Sequence, residues 1–150
     1  PNAIRVSVIR NKNRVPEITF AYIRFGTEST GSIDNASVGG IMCKIDLDDG
    51  KFFDGKIIID HQLLDCNSHP DTKQLLEGDI PNWQHIKEKI LEISQYIPQV
   101  TYMGFDLVAT DDAFKIIEIN SHQGIGYIQS NTPYLSSNPT AIFFKSLLKN

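Results

Sequence analysis

Asp106, Glu118 and Asn120 are the side chains of this sequence whose types and spacing best suit a hard cation. Asp106 lies in a short apolar run, Tyr102 to Ala109; Glu118 and Asn120 lie in a second, Phe114 to Asn120; the turn Thr110-Asp111-Asp112 separates them. This is the pattern of a β-hairpin with acids set into otherwise oily strands. Residues i and i+2 of a strand share a face, so Glu118 and Asn120 point the same way. A three-residue loop centred on Asp112 places Asp106 directly opposite Glu118, with Cβ atoms roughly 5 Å apart, where like charges destabilise a sheet. A divalent cation reverses that penalty. Magnesium accepts carboxylate and amide oxygens and fills its other positions with phosphate and water. A two-residue turn at Asp111-Asp112 instead puts Asp106 opposite Ile117 and sends Glu118 to the other face. The blander reading is that the acids merely solvate an exposed hairpin. The apolar flanks Ile116, Ile117 and Ile119, together with the added Asn, favour a metal site.

Three further features suit phosphate. The loop Asp34-Asn35-Ala36-Ser37-Val38-Gly39-Gly40 ends in a glycine pair, which lets the backbone approach a ligand and aim N–H groups at an oxyanion. Arg24 ends an apolar run just before that loop, and Arg5 lies on the neighbouring segment. Arginine makes bidentate contacts to phosphate. Each feature alone is an ordinary loop or surface arginine. Their convergence marks Arg5, Arg24, Asn35, Gly39 and Gly40 as a phosphate-binding set. His61, His69, His85 and His122 show no metal spacing, although His122 follows Asn120 closely enough to line the same cleft. No P-loop pattern is present.

The elements that must position these residues follow from periodicity. Ile4, Val6, Val8 and Arg10 share one face of an alternating run, with Arg5, Ser7 and Ile9 on the other; after Asn11-Lys12-Asn13 a longer run spans Val15 to Phe25. Together they predict an antiparallel hairpin. Ile41, Cys43, Ile45 and Leu47 alternate again, Asp48-Asp49-Gly50 turns, and Lys51-Phe52-Phe53 returns. Residues 60 to 80 read as irregular. Pro81 is expected to open a helix whose stripe is Trp83, Ile86, Ile90, Ile93 and Ile97, and Pro98 to end it. A second helix is expected from about Pro139 to Leu148. The plan is α+β, a mostly antiparallel sheet with packed helices.

The chain has 150 residues, 41% of them hydrophobic, which predicts one packed domain over 1–150 rather than a disordered segment. A net charge of −4 argues against a nucleic-acid footprint, which is a basic face. No apolar run approaches the roughly 20 residues that span a bilayer. Cys43 and Cys66 are too few for a disulfide scaffold, so reduced thiols in a cytoplasmic protein are expected, with Cys43 in the core.

At these residues the chain resembles the C-terminal half of an ATP-grasp domain. Glu118-Ile119-Asn120-Ser121-His122-Gln123-Gly124 resembles the acid-x-Asn-Ser-x-Pro-Gly stretch of the ribosomal-protein glutamate-ligase branch, and Asp106 stands at that branch's usual separation from Glu118. A closer match is the sugar-transfer-associated ATP-grasp group, sometimes labelled α-L-glutamate ligase-related. Its pattern is similar to Arg24-Phe25-Gly26, Asp34-Asn35 to Gly40, Lys44-Ile45-Asp46, His69-Pro70, Ile80-Pro81-Asn82-Trp83, Gly104-Phe105-Asp106 and Gln129. The resemblance implies ATP and Mg2+ as cofactors and a carboxylate–amine ligase working through an acyl phosphate. It implies metal ligands at Asp106, Glu118 and Asn120, nucleotide contacts at Arg5, Arg24, Asn35, Gly39 and Gly40, and a catalytic role for Arg24. It also implies a small-molecule or glycan-linked carboxylate substrate, a link to cell-surface polysaccharide assembly, and an adenine pocket in a region preceding Pro1 of a longer protein. Departures are Ile33, where the glutamate-ligase branch carries an arginine, Gln123 in place of that branch's proline, and Gly104, where some relatives carry an arginine. These leave a non-catalytic nucleotide- or partner-binding module as the alternative. A hydrolase using Asp106 and Glu118 as an acid/base pair is a third reading; a glycosidase pair needs roughly 5–9.5 Å between carboxyl groups.

Overall fold

The computed structural model describes residues 2–30, 39–60, 62–126, 128–130, 133, 135–136 and 138–148. Eight strands are present: β1 (Ala3–Arg10), β2 (Pro16–Phe25), β3 (Ile41–Ile45), β4 (Lys51–Ile59), β5 (Gln62–Asp65), β6 (Gly78–Asp79), β7 (Tyr102–Ala109) and β8 (Phe114–Asn120). They form one sheet in the order β5-β4-β3-β2-β1-β7-β8, with β6 also paired to β4. Every pairing is antiparallel. Two helices, α1 (Trp83–Gln95) and α2 (Asn138–Leu147), complete the α+β fold. No helix among the described residues is long and apolar enough to cross a membrane.

Alternation in the strands sends two sets of side chains to two faces. One set, which includes Val6, Ile23, Cys43 and Phe105, packs against Trp83, Ile86 and Ile90 of α1. Ile86 and Ile90 are fully buried, each contributing about 1.5–3 kcal/mol by leaving water. Cys43 lies in this core as expected, and burial pushes its thiol up to about 12, so it is no nucleophile. The other face carries a smaller cluster, Phe20, Tyr22 and Met42 with Ile128, against which Phe144 of α2 packs.

Three expectations need correction. The first helix starts at Trp83 rather than Pro81, because Asn82 sits in the left-handed region at φ 57° and its side-chain amide donates to Asp111 O at 2.7 Å. It stops at Gln95, so Ile97 lies beyond it. No basic residue stands in its last turn; Arg10 reaches in from β1 instead and donates to Ser94 O, to Ile97 O at 3.1 Å and to Val100 O at 3.1 Å. Finally, residues 60 to 80 are not wholly irregular, since they contain β5 and β6. Both strands are short, and the side chains of β5 are all exposed, so they leave no apolar alternation to read.

Candidate functional site

The register of four pairings lines up one transverse row. Lys44 of β3 faces Tyr22 of β2, Tyr22 faces Arg5 of β1, Arg5 faces Asp106 of β7, and Asp106 faces Glu118 of β8. Residues directly opposite in antiparallel strands project to the same face, so the row lies on the side of the sheet away from α1. Asn120 pairs with Gly104, one step along the same ribbon.

The β7–β8 connection combines both turn geometries open to the sequence. Ala109 pairs with Phe114, and Thr110 N donates to Ala113 O at 2.7 Å, so the tip is the two-residue turn at Asp111-Asp112. Continued unchanged, that register brings Ile117 opposite Asp106. A bulge between Asp106 and Leu107 intervenes: Leu107 pairs with Ile116, and Asp106 with Glu118. Ile117 is the extra residue and is 61% exposed. One added residue therefore restores the facing of the two acids.

Asp106 is buried, and the Arg5 guanidinium grips it with both arms, Nε donating to Oδ1 and Nη2 to Oδ2 at 2.7 Å. Arg24 Nη2 stands 3.7 Å from Oδ1. Burial acts to lower the Arg5 pKa, but the Asp106 hydrogen bond and the fields of Tyr22, Asp106 and Glu118 outweigh it, and the value is raised. The guanidinium is thus a fixed positive charge at the centre of the row.

Asp106, Glu118 and Asn120 form a hard-oxygen donor set that fits magnesium in chemistry. Both Asp106 oxygens already accept from Arg5, yet a carboxylate oxygen keeps a second lone pair for a cation. Among the described residues no three His, Cys, Asp or Glu side chains gather as a metal cluster. A cation here depends on the amide of Asn120 and on oxygens from water or phosphate.

Of the phosphate set, Arg5 and Arg24 come together around Asp106. Asn35 lies outside the described residues. Gly39 adopts φ 97°, a conformation that favours glycine, and a Cβ there would meet Ser29 Oγ at 2.8 Å. Its carbonyl accepts from Thr27 Oγ1 at 3.0 Å.

Three residues near the site were not assigned a role from the sequence. His69 Nδ1 accepts the N–H groups of Asp71 and Thr72, so Nε2 carries the proton and donates to Gly26 O at 2.9 Å; Asp71 Oδ2 accepts Glu28 N at 2.9 Å. The two pin the segment leaving Arg24. The His69-Pro70 element of the resemblance was the available signal. Gln123 is buried, accepts Ser7 Oγ at 3.0 Å and donates to Met103 O at 2.8 Å. A Cβ on Gly104 would lie 2.5 Å from Gln123 Oε1, so the amide occupies the space that a side chain at 104 would need. His122 is exposed and pairs with Ser121 Oγ at 2.9 Å.

A family model described as sugar-transfer associated ATP-grasp matches residues 2–140. Comparison with curated proteins and with solved structures finds no match. Matched over nearly its whole length, the chain belongs to the sugar-transfer associated ATP-grasp family.

Proposed function

We propose that this chain is the phosphate-and-metal side of an ATP- and Mg2+-dependent carboxylate–amine ligase, the C-terminal portion of a longer ATP-grasp protein. The observation that carries the reading is the part-buried Arg5–Asp106 pair with Arg24 beside it and Glu118 opposite. Two arginines and two acids on one sheet face match a polyphosphate that brings its own cation. Arg5 holds Asp106 in one orientation. Arg24 and the Asn35 to Gly40 loop take phosphate oxygens, and Asp106, Glu118 and Asn120 hold the metal. Bound magnesium would neutralise phosphate charge and keep the transfer in line. A substrate carboxylate oxygen attacks the γ-phosphorus, the bond to the β,γ-bridging oxygen breaks, and ADP leaves with that electron pair. An amine then attacks the acyl carbon of the acyl phosphate, inorganic phosphate departs, and the amine proton passes to solvent. Arg24 acts as the catalytic residue by stabilising charge on the transferring phosphoryl group. The family's tie to sugar transfer supports a small-molecule or glycan-linked carboxylate as substrate, in a cytoplasmic pathway for surface polysaccharide.

The same ion pair also supports a second reading, a non-catalytic nucleotide-binding module. Arg5 engages both Asp106 oxygens, Ile33 offers no cation where the glutamate-ligase branch has an arginine, and Gly104 offers none where some relatives do. Carboxylate-dependent release of ADP by the full-length protein, abolished by Asp106→Asn and by Glu118→Gln, is the result expected of a ligase. Binding of MgATP without ADP release across a panel of carboxylates defeats it in favour of the second reading.

A further inference from the structure

Beside the row of Arg5, Asp106 and Glu118, a second row runs on the same face of the sheet. Asn120 of β8 is paired with Gly104 of β7, and Gly104 with Ser7 of β1. Each lies two positions from its counterpart in the first row, so all project to one face. Gly104 supplies no side chain to this row. The place its Cβ would take lies 2.5 Å from Gln123 Oε1, 2.8 Å from Gln123 Cδ and 3.1 Å from Gln123 Cβ. The Gln123 amide therefore stands where the cross-strand neighbour of Asn120 would stand. It is fixed at both ends, accepting from Ser7 Oγ at 3.0 Å and donating to Met103 O at 2.8 Å. Gln123 and Ser7 are both buried, so these bonds are made away from water, where breaking one leaves a group unsatisfied. The chain leaving β8 is thus folded back over β7 and β1. Ile128 continues the crossing, buried against Phe20, Tyr22 and Met42. Asn120 is held differently. It is half-buried, and its side chain makes no hydrogen bond among the described residues. An asparagine amide can turn either an oxygen or an NH2 group to a neighbour, and only the oxygen ligates a hard cation.

We propose that Gln123 is the positioning residue for Asn120, an inference that rests on the metal site of the ligase reading. The carboxamide of Gln123, immobilised by Ser7 and Met103, is the wall that limits Asn120 to side-chain conformations carrying Oδ1 toward Asp106 and Glu118. A carboxylate needs no such help, because either of its oxygens ligates. An amide does, because half of its orientations offer the wrong atom. Gln123 does not touch the cation. It acts through Asn120, as outer groups orient the ligands of other metal sites.

Mn2+ alone, titrated into the full-length protein and followed by water-proton relaxation, tests this through a double-mutant cycle. Asn120→Ala and Gln123→Met are each expected to weaken Mn2+ binding about tenfold. Methionine keeps the bulk of glutamine and loses both hydrogen bonds. The double variant should bind no more than about twofold more weakly than Asn120→Ala, because nothing is left for Gln123 to position. The cycle is repeated with Ser7→Ala, a milder change, whose smaller loss must likewise vanish in the Asn120→Ala background. A role in folding alone gives a different pattern. It lowers the denaturation midpoint of Gln123→Met without changing Mn2+ affinity, or it adds the two losses in the double variant. Either result overturns the proposal and leaves the metal site standing. Unchanged Mn2+ affinity in Asn120→Ala defeats the metal site of the ligase reading, and this inference with it.

Discussion

The two faces of the sheet are made from alternate residues of the same strands, yet they are held together differently. Toward α1 the face is apolar, and Val6, Ile23 and Phe105 meet Trp83, Ile86 and Ile90. Toward the site, the same three strands present Arg5, Tyr22 and Asp106. The apolar face is redundant, because each contact is one of many and a lost methyl group is a local loss. The charged face is not, because the buried Asp106 carboxylate is tolerable only when paired, and the half-buried Arg5 is the group that grips it with both arms. Stability should therefore fall gradually on one face and abruptly on the other, and function should respond on the second alone.

The sharpest break in this comparison is Asp106→Ala. It deprives a half-buried guanidinium of its bidentate partner, and chemical denaturation should show a loss of up to about 3 kcal/mol. Joint replacement with Arg5→Met should recover much of that loss, since neither ion then remains. On the apolar face, Ile90→Ala should cost about 2–5 kcal/mol through cavity formation, with MgATP affinity unchanged by calorimetry in conditions where the variant is folded. Gly104→Ala tests the neighbouring row. Its methyl group collides with the Gln123 amide, costing about 1–3 kcal/mol, and Gln123→Ser should relieve the strain. The smallest effect on stability belongs to Glu118→Gln. That exposed position should move the denaturation midpoint by no more than about 0.5 kcal/mol, while magnesium-dependent nucleotide binding falls. A large stability loss there would make Glu118 a structural partner of Arg5 rather than a ligand.

Much of this architecture was legible because burial is periodic. Period-two runs marked β1 and β3, a short apolar run marked β7, and the spacing of Trp83, Ile86 and Ile90 marked α1. The meeting of Arg5 and Arg24 followed from pairing adjacent strands. The facing of Asp106 and Glu118 was posed as a choice between two registers, and it could not be decided locally, because the bulge at Ile117 combines the two-residue tip with the shifted pairing. The alternation put Arg10 on the face of Ile4, Val6 and Val8, but its role as a cap for α1 depends on carbonyls more than eighty residues away. Asn82 looked like a helical residue because a left-handed φ leaves no mark on the hydrophobic pattern. The bidentate grip on Asp106 was also unforeseen. Strand pairing predicts which residues are neighbours, but not which of several partners a guanidinium will choose.

Ser7, Gly104 and Gln123 bear on how this chain should be aligned with its kin. Positions 104 and 123, which differ from the glutamate-ligase branch and some relatives, look independent along the chain, nineteen positions apart. In space one amide fills the room beside one missing side chain. The two positions are therefore coupled by sterics, and an arginine introduced at 104 should be accommodated only when glutamine at 123 is replaced by a smaller residue.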